Sequence, residues 1–321
     1  MRGAIRGNFF MLSLIIYQIA AFLVLSETLG RLAPFSLEVM FVIVAATSVI
    51  IFFPPVVVYA IMNRWRISEL FPFKKLNCMN IFFILLVVIA SQPIAMAMSG
   101  ISAIFFPNTV GDMVHALNSA SYLATVVVVC VFPAIFEELP LRGIIQAEYK
   151  SSPLWMSALI NGLFFGIIHL SFQQFLYAFF LGVVLFYLVH ITGSIISAIL
   201  AHFLFNFIQV SISAFLLNQG LVDQVMTADM PAPTEFVAGW IAMIVIFMPV
   251  LGLILWSQTL YNKNLNRKVN ILKPEAVICE RPVKEITSAE YKVGKNAWLI
   301  TFFAIILVYA WFMITITMQT V

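Results

Sequence analysis

Six polar residues of types suited to catalysis lie in stretches of the sequence that are otherwise apolar. They are Glu137, Glu138, Arg142, His169, His202 and Asn206. A carboxylate beside an imidazole can take a proton from water, and a second imidazole with a carboxamide N–H can donate to a developing oxyanion. The sequence has no G-x-S-x-G nucleophile elbow. The set therefore predicts a hydrolase of amides or esters that uses water as its nucleophile.

The composition identifies the surroundings of these residues as a lipid bilayer. Apolar residues make up 63% of the 321 residues and charged residues 10%, whereas soluble domains have about 25% charged residues. The apolar residues form blocks of about 20, the length that crosses the hydrocarbon core. We therefore expect an all-α, polytopic transmembrane bundle that forms a single membrane domain, 1–321. Basic residues lie between the blocks rather than on one soluble face, so no nucleic-acid partner is predicted.

The apolar blocks predict about nine membrane spans, with eight as the alternative count. The expected spans are 9–29, 37–62, 80–104, 118–149, 153–170, 173–190, 193–217, 235–260 and 296–318. The fifth, sixth and seventh spans are joined by very short turns, so they should pack as antiparallel neighbours. Residues 118–217 contain all six polar candidates and are predicted to be the catalytic helical core.

Lysine and arginine predict the orientation of the chain. The loop after the second span is basic, and 262–295, after the eighth, is predicted to be a basic cytoplasmic loop. Alternate loops are poor in Lys and Arg, with Arg31 after the first span and none in 105–117 or 218–234. Because basic loops remain in the cytoplasm, nine spans predict a cytoplasmic N-terminus.

The charged residues of the fourth span must be partnered. A charge at the bilayer centre costs about 2.5–3.5 kcal/mol on insertion scales. Glu138 and Arg142 are four residues apart on one helical face and can pair, while Glu137 points about 100° away and is free for another task. Pro133 and Pro140 flank the two glutamates. Because proline has no backbone N–H, each should interrupt the backbone hydrogen bonds of the helix and produce a kink or a widened turn.

Depth along the helices predicts that the six residues converge. Glu137 precedes the turn near 151–152 by about 14 residues, and His169 follows that turn at a similar distance, so a helical hairpin brings them to similar depth. His202 and Asn206 share one face of the seventh span. We expect all six residues to line one buried cavity that faces the cytoplasm.

Three other interpretations compete with catalysis. A buried Glu–Arg pair can be structural, and a membrane His or Asn often makes an interhelical hydrogen bond. Ionisable residues also line transporter pathways, although the sequence shows no internal repeat of the kind common in transporters. Convergence of three helices with matched depth favours the catalytic interpretation.

The motifs resemble those of the CAAX-protease and bacteriocin-processing (CPBP, or Abi) family of intramembrane peptidases, which includes the type II CAAX prenyl endopeptidases. The family pattern is EExxxR, then FxxxH, then HxxxN or HxxxD. It is matched in this order by Glu137–Arg142, Phe165–His169 and His202–Asn206. The resemblance covers about residues 130–210. Leu141 stands where the family often has an aromatic residue, and Pro140 inside the first motif is unusual.

The resemblance implies a role for each residue. Glu137 and His169 would activate water, His202 and Asn206 would stabilise the oxyanion, and Glu138 with Arg142 would shape the site. The implied substrate is a membrane-associated or lipidated peptide or protein, and the implied location is a bacterial cell membrane. Members have been called metallopeptidases, and Glu137, His169 and His202 could supply three ligands to a zinc ion. No HExxH pair is present, so a glutamate mechanism and a metal mechanism both stay open.

A non-catalytic function is the main alternative. The chain could be a membrane scaffold or a bacteriocin-immunity protein that acts by binding. That hypothesis predicts that substitution of Glu137 or His169 leaves the cellular phenotype unchanged. The peptidase hypothesis predicts its loss.

Overall fold

The computed structural model describes residues 2–32, 36–220, 236–272 and 288–320, and no strand occurs among them. The helices before the core are α1 (Arg2–Leu32), α2 (Leu37–Met62), α3 (Ile67–Leu70), α4 (Cys78–Ala103) and α5 (Thr109–Ala120). The core consists of α6 (Tyr122–Thr125), the π-helix π1 (Val126–Val131), α7 (Phe132–Phe136), the π-helix π2 (Leu139–Ile145), α8 (Gln146–Glu148), α9 (Leu154–Ile168), α10 (Phe172–Thr192) and α11 (Ile196–Asn218). Two long helices follow, α12 (Val237–Leu272) and α13 (Ser288–Thr320).

Eight helical segments of the described chain are long and apolar enough to cross a membrane. The predicted all-helical transmembrane bundle is confirmed. The predicted fifth span is the exception in length, because α9 has 15 residues and is about 22 Å long at 1.5 Å per residue. The fourth span is continuous from Tyr122 to Glu148 and contains both π-helices.

Local sequence signals set the ends of the core helices. The Ser171 hydroxyl accepts a hydrogen bond from the Gln174 N–H at 3.3 Å and begins α10. Gly193 ends α10 with φ +65°, a left-handed conformation that glycine adopts without steric cost. Leu170 also has a positive φ, 46°, which a branched side chain adopts only under strain. The reversal between α9 and α10 is therefore tight.

Three helix pairs build much of the bundle. The hairpin partners α9 and α10 pack along each other, α12 packs on α4, and α13 packs on α1. The helix α11 contacts α4, α5, α10 and π1. The catalytic core predicted from the sequence is consequently enclosed by α1, α2 and α4. Its interior is a continuous apolar cluster that includes Phe164, Phe165, Leu185 and Ala198.

Polar contacts gather several helix ends at one end of the bundle. Glu148 accepts hydrogen bonds from the Arg6 guanidinium at 2.9 Å and the Tyr59 hydroxyl at 2.6 Å. The Ser194 hydroxyl donates to the Lys74 carbonyl at 2.6 Å. We call this the basic end, and its described basic side chains are Arg6, Arg64, Arg66, Lys74, Lys75, Lys150 and Lys263. The opposite end holds residues 104–121 and the start of α12.

The predicted basic loop, 262–295, is helical at both of its ends. Helix α12 continues to Leu272 and α13 begins at Ser288. Residues 273–287 lie outside the described residues, as do 221–235, which make up most of the predicted loop 218–234.

Candidate active site

The fourth span widens into π-helical turns on either side of the two glutamates. Pro133 and Pro140 have no N–H to donate, so the helical ladder is interrupted at both positions. The structure places π1 immediately before α7, and π2 begins one residue after Glu138. The predicted opening of the ladder is confirmed. Wide turns of this kind re-aim side chains and are frequent at functional sites.

Glu138, Arg142 and His202 form a buried cluster between the fourth span and α11. Arg142 Nε lies 3.1 Å from Glu138 Oε2, and both side chains are fully buried. His202 Nδ1 lies 2.9 Å from Glu138 Oε1. A carboxylate that faces a guanidinium is ionised and only accepts hydrogen bonds, so His202 Nδ1 carries a proton. The predicted Glu138–Arg142 pair is formed, and the bond to His202 was not predicted.

Phe165 packs at the centre of these groups. The guanidinium carbon of Arg142 lies 4.7 Å from the centre of the Phe165 ring. The edges of the His169 and His202 rings approach the same phenyl ring with centroid distances of 4.9 and 5.4 Å. Phe165 therefore fixes two imidazoles and one guanidinium at once. The sequence identified it only as part of a motif.

Arg142 is also held by α10. Its Nη2 donates to the Gly182 carbonyl at 3.0 Å. A Cβ on Gly182 would meet Phe165 Cβ at 2.7 Å and Gly162 Cα at 2.8 Å. The two glycines thus allow α9 and α10 to approach closely, in the manner of small residues at membrane helix interfaces. The two glycines were not among the predicted residues. Glycines at facing positions of two helices joined by a short turn are a sequence signal for close helix packing.

Glu137 and His169 face each other. His169 Nε2 lies 4.0 Å from Glu137 Oε2, and their side chains are 17% and 15% exposed. His169 Nδ1 donates to the Phe165 carbonyl at 2.7 Å, because a carbonyl oxygen only accepts. In the neutral ring, Nε2 is then an acceptor directed at the carboxylate. A water with hydrogen bonds of about 2.8 Å to each atom fits this separation.

Asn206 lies one helical turn beyond His202 on α11. Its Nδ2 donates to the Val129 carbonyl at 3.1 Å. Residue 133, four positions after Val129, is proline and has no N–H for that carbonyl. One N–H of the Asn206 carboxamide is therefore bonded to the Val129 carbonyl. The second N–H is available to another acceptor.

A cavity of about 820 Å³ contains these groups at its inner end. Glu137, His169, His202 and Asn206 line it. Glu138 and Arg142 are buried behind His202. The structure therefore brings all six predicted residues together, four on the cavity wall and two behind it.

The described residues do not form a metal site. No group of three His, Cys, Asp or Glu among them is arranged to hold an ion. The predicted ligand set of Glu137, His169 and His202 does not fit a zinc ion in this arrangement.

The comparison with family models agrees with the motifs. The family described as Type II CAAX prenyl endopeptidase Rce1-like matches residues 119–208. The core of this chain is therefore similar to that family. All three motifs lie within the matched residues, which confirms the resemblance to CPBP peptidases. No curated protein and no solved structure matches the chain.

The family whose model matches these residues is a family of proteases. The match begins with the last residues of α5 and ends in the middle of α11. It therefore spans the two π-helices, the hairpin of α9 and α10 and the third motif. The eight apolar spans place this core in an integral membrane protein.

Proposed function

We propose that this protein is an intramembrane endopeptidase that hydrolyses a peptide bond of a membrane-associated or lipidated peptide or protein. The observation that carries the proposal is the pairing of Glu137 and His169 across 4.0 Å at the inner end of a cavity. Both groups accept hydrogen bonds in their resting forms, so a water between them presents its oxygen lone pair to a substrate carbonyl.

The reaction uses Glu137 as general base and then as general acid. The water oxygen attacks the scissile carbonyl carbon while its proton passes to the Glu137 carboxylate. His169 Nε2 accepts the second water proton as a hydrogen bond and orients the nucleophile. When the C–N bond breaks, Glu137 returns the proton to the leaving amine, so the base is regenerated.

His202 and Asn206 stabilise the oxyanion in this mechanism. The Glu138 carboxylate accepts a hydrogen bond from His202 Nδ1 and orients the ring, which lines the cavity. The Nε2–H of that ring and the second amide proton of Asn206 are the donors for the developing negative charge. Arg142 holds Glu138 in place and balances its charge.

The orientation proposed from the loop charges keeps the basic end in the cytoplasm, with the protein in a bacterial cell membrane. The predicted basic segment, 262–295, then lies on the cytoplasmic side. The buried position of the water-activating pair requires the substrate to reach it through the cavity.

The test is a comparison of membrane peptidomes from cells that carry the wild-type protein or the Glu137→Gln variant. We expect specific cleavage products to disappear with Glu137→Gln. The control is Glu38→Gln, which removes an exposed carboxylate at the start of α2 and should leave the products unchanged. Identical peptidomes for wild type and Glu137→Gln would refute the proposal and favour the scaffold hypothesis.

A further inference from the structure

The cavity extends from the catalytic residues in one direction along the bundle. Its wall includes Ala103, the last residue of α4, and Gly111 in α5. Ser213, about two helical turns beyond Asn206, and Trp240 in the first turn of α12 also line it. These residues all belong to the end opposite the basic end.

In the other direction, packed apolar residues separate the catalytic cluster from the basic end. Leu70 and Phe71 are 1% and 7% exposed, and Leu141 and Ile195 are fully buried. The Phe71 ring lies so close to Gly143 that a Cβ there would meet it at 2.2 Å. None of these residues lines the cavity. We call residues 70–74, which lie across this side, the basic-end plug.

Hydrogen bonds hold the basic-end plug in place. The Ile195 N–H donates to the Pro72 carbonyl at 3.1 Å, and the Ser194 hydroxyl donates to the Lys74 carbonyl at 2.6 Å. Both donors belong to the turn between α10 and α11, directly before the helix that carries His202. Opening a path on this side would break two hydrogen bonds and expose a packed apolar layer to water.

Charge assigns the two ends to the two sides of the membrane. Apart from the buried Arg142, the described basic side chains lie at the basic end, which the positive-inside rule places in the cytoplasm. We infer that the cavity opens toward the extracytoplasmic side and that the substrate enters from there. That a substrate enters at all rests on the proposed function. The inferred direction of the opening is opposite to the cytoplasmic one expected from the sequence.

The cavity wall also restricts the chemistry of that substrate. Among the described lining residues there is no Lys or Arg, and Glu137 is the carboxylate. The other polar lining groups are neutral Ser, Thr, Gln, Asn and Tyr side chains together with two histidines. A free C-terminal carboxylate would find no guanidinium or ammonium partner. The wall suits an apolar or basic peptide segment, exposed outside the cytoplasm and cleaved at an internal bond.

Thiol labelling from each side of the membrane tests the inference. Cys78, Cys130 and Cys279 are replaced by serine, and Ser213→Cys or Ala103→Cys is introduced separately on the cavity wall. Ser68→Cys, exposed in α3 at the basic end, is the matched control. A membrane-impermeant maleimide is then applied to intact cells and to inside-out vesicles.

We expect at least tenfold more labelling of Ser213→Cys and Ala103→Cys in intact cells than in vesicles, with the reverse for Ser68→Cys. Labelling of the cavity positions mainly in vesicles, or in neither preparation, would overturn the inference. The labelling is repeated with Glu137→Gln. Since it does not require proteolysis, its result is separate from success or failure of the proposed function.

Discussion

Nδ1 of His202 lies 2.9 Å from Oε1 of Glu138, which joins the third motif to the ion pair of the first. The carboxylate thus contacts the Arg142 guanidinium through both oxygens and the His202 imidazole through Oε1. The neighbouring Glu137 makes no comparably short contact, since its approach to His169 is 4.0 Å. The two adjacent glutamates therefore differ in their contacts, and variants should separate the roles proposed for them.

Substitution of Glu138 should reduce both stability and activity. Glu138→Gln leaves the buried Arg142 without its counter-charge, and removal of one partner of a buried pair costs about 3–5 kcal/mol. It also weakens the hydrogen bond that orients His202, so kcat should fall while KM changes little. Thermal unfolding in detergent and peptide cleavage measure the two effects.

Glu137→Gln is compared with Glu138→Gln in the same measurements of stability and activity. The Glu137 carboxylate makes no close ion pair, since its approach to His169 is 4.0 Å, so we expect a smaller loss of stability than for Glu138→Gln. Activity should nevertheless fall at least 100-fold, because the general base is lost. Equal loss of stability in both variants would contradict the division of roles.

Phe165→Leu should impair catalysis beyond its effect on stability. The substitution removes the ring that contacts Arg142, His169 and His202. Phe164→Leu is a matched control on the same helix, because Phe164 is also fully buried and its ring lies against Phe302. Similar stability losses are expected, on the order of 1–2 kcal/mol, with a larger loss of kcat for Phe165→Leu. Equal kcat values for the two variants would show that Phe165 contributes only to packing of the hydrophobic core.

Gly182→Ala should separate α9 from α10. The added methyl would lie 2.7 Å from Phe165 Cβ and 2.8 Å from Gly162 Cα, both parts of a packed interface that cannot yield without moving a helix. Unfolding temperature and activity should both fall. Gly252→Ala in α12 is the control, because no atom lies within 4 Å of the added methyl. It should stabilise the helix by up to about 1 kcal/mol.

Chelation should leave peptidase activity unchanged. Among the described residues, no three His, Cys, Asp or Glu side chains are arranged to hold a metal ion. Activity of the purified protein is measured before and after dialysis against a strong zinc chelator, with elemental analysis of both samples. Loss of activity that returns with added zinc would contradict the glutamate mechanism.

The sequence by itself determined the all-helical membrane fold and identified six candidate residues that the structure brings together. Apolar blocks of about 20 residues can satisfy their backbone groups in lipid only as helices. The spacing of Glu138 and Arg142 predicted their pair, and similar distances from the hairpin turn predicted that Glu137 and His169 lie at similar depth. These inferences succeed because they depend on helical periodicity and rise, which are local properties.

Only the tertiary structure decided which residues of different helices contact each other. The bond from His202 to Glu138, the three contacts of Phe165 and the approach of Gly162 to Gly182 join residues distant in the sequence. The direction of the cavity likewise depends on the packing of Leu70 and Phe71 under the core. Periodicity fixes which face a residue occupies on its own helix. The neighbour that it meets depends on helix packing, which no single helix specifies.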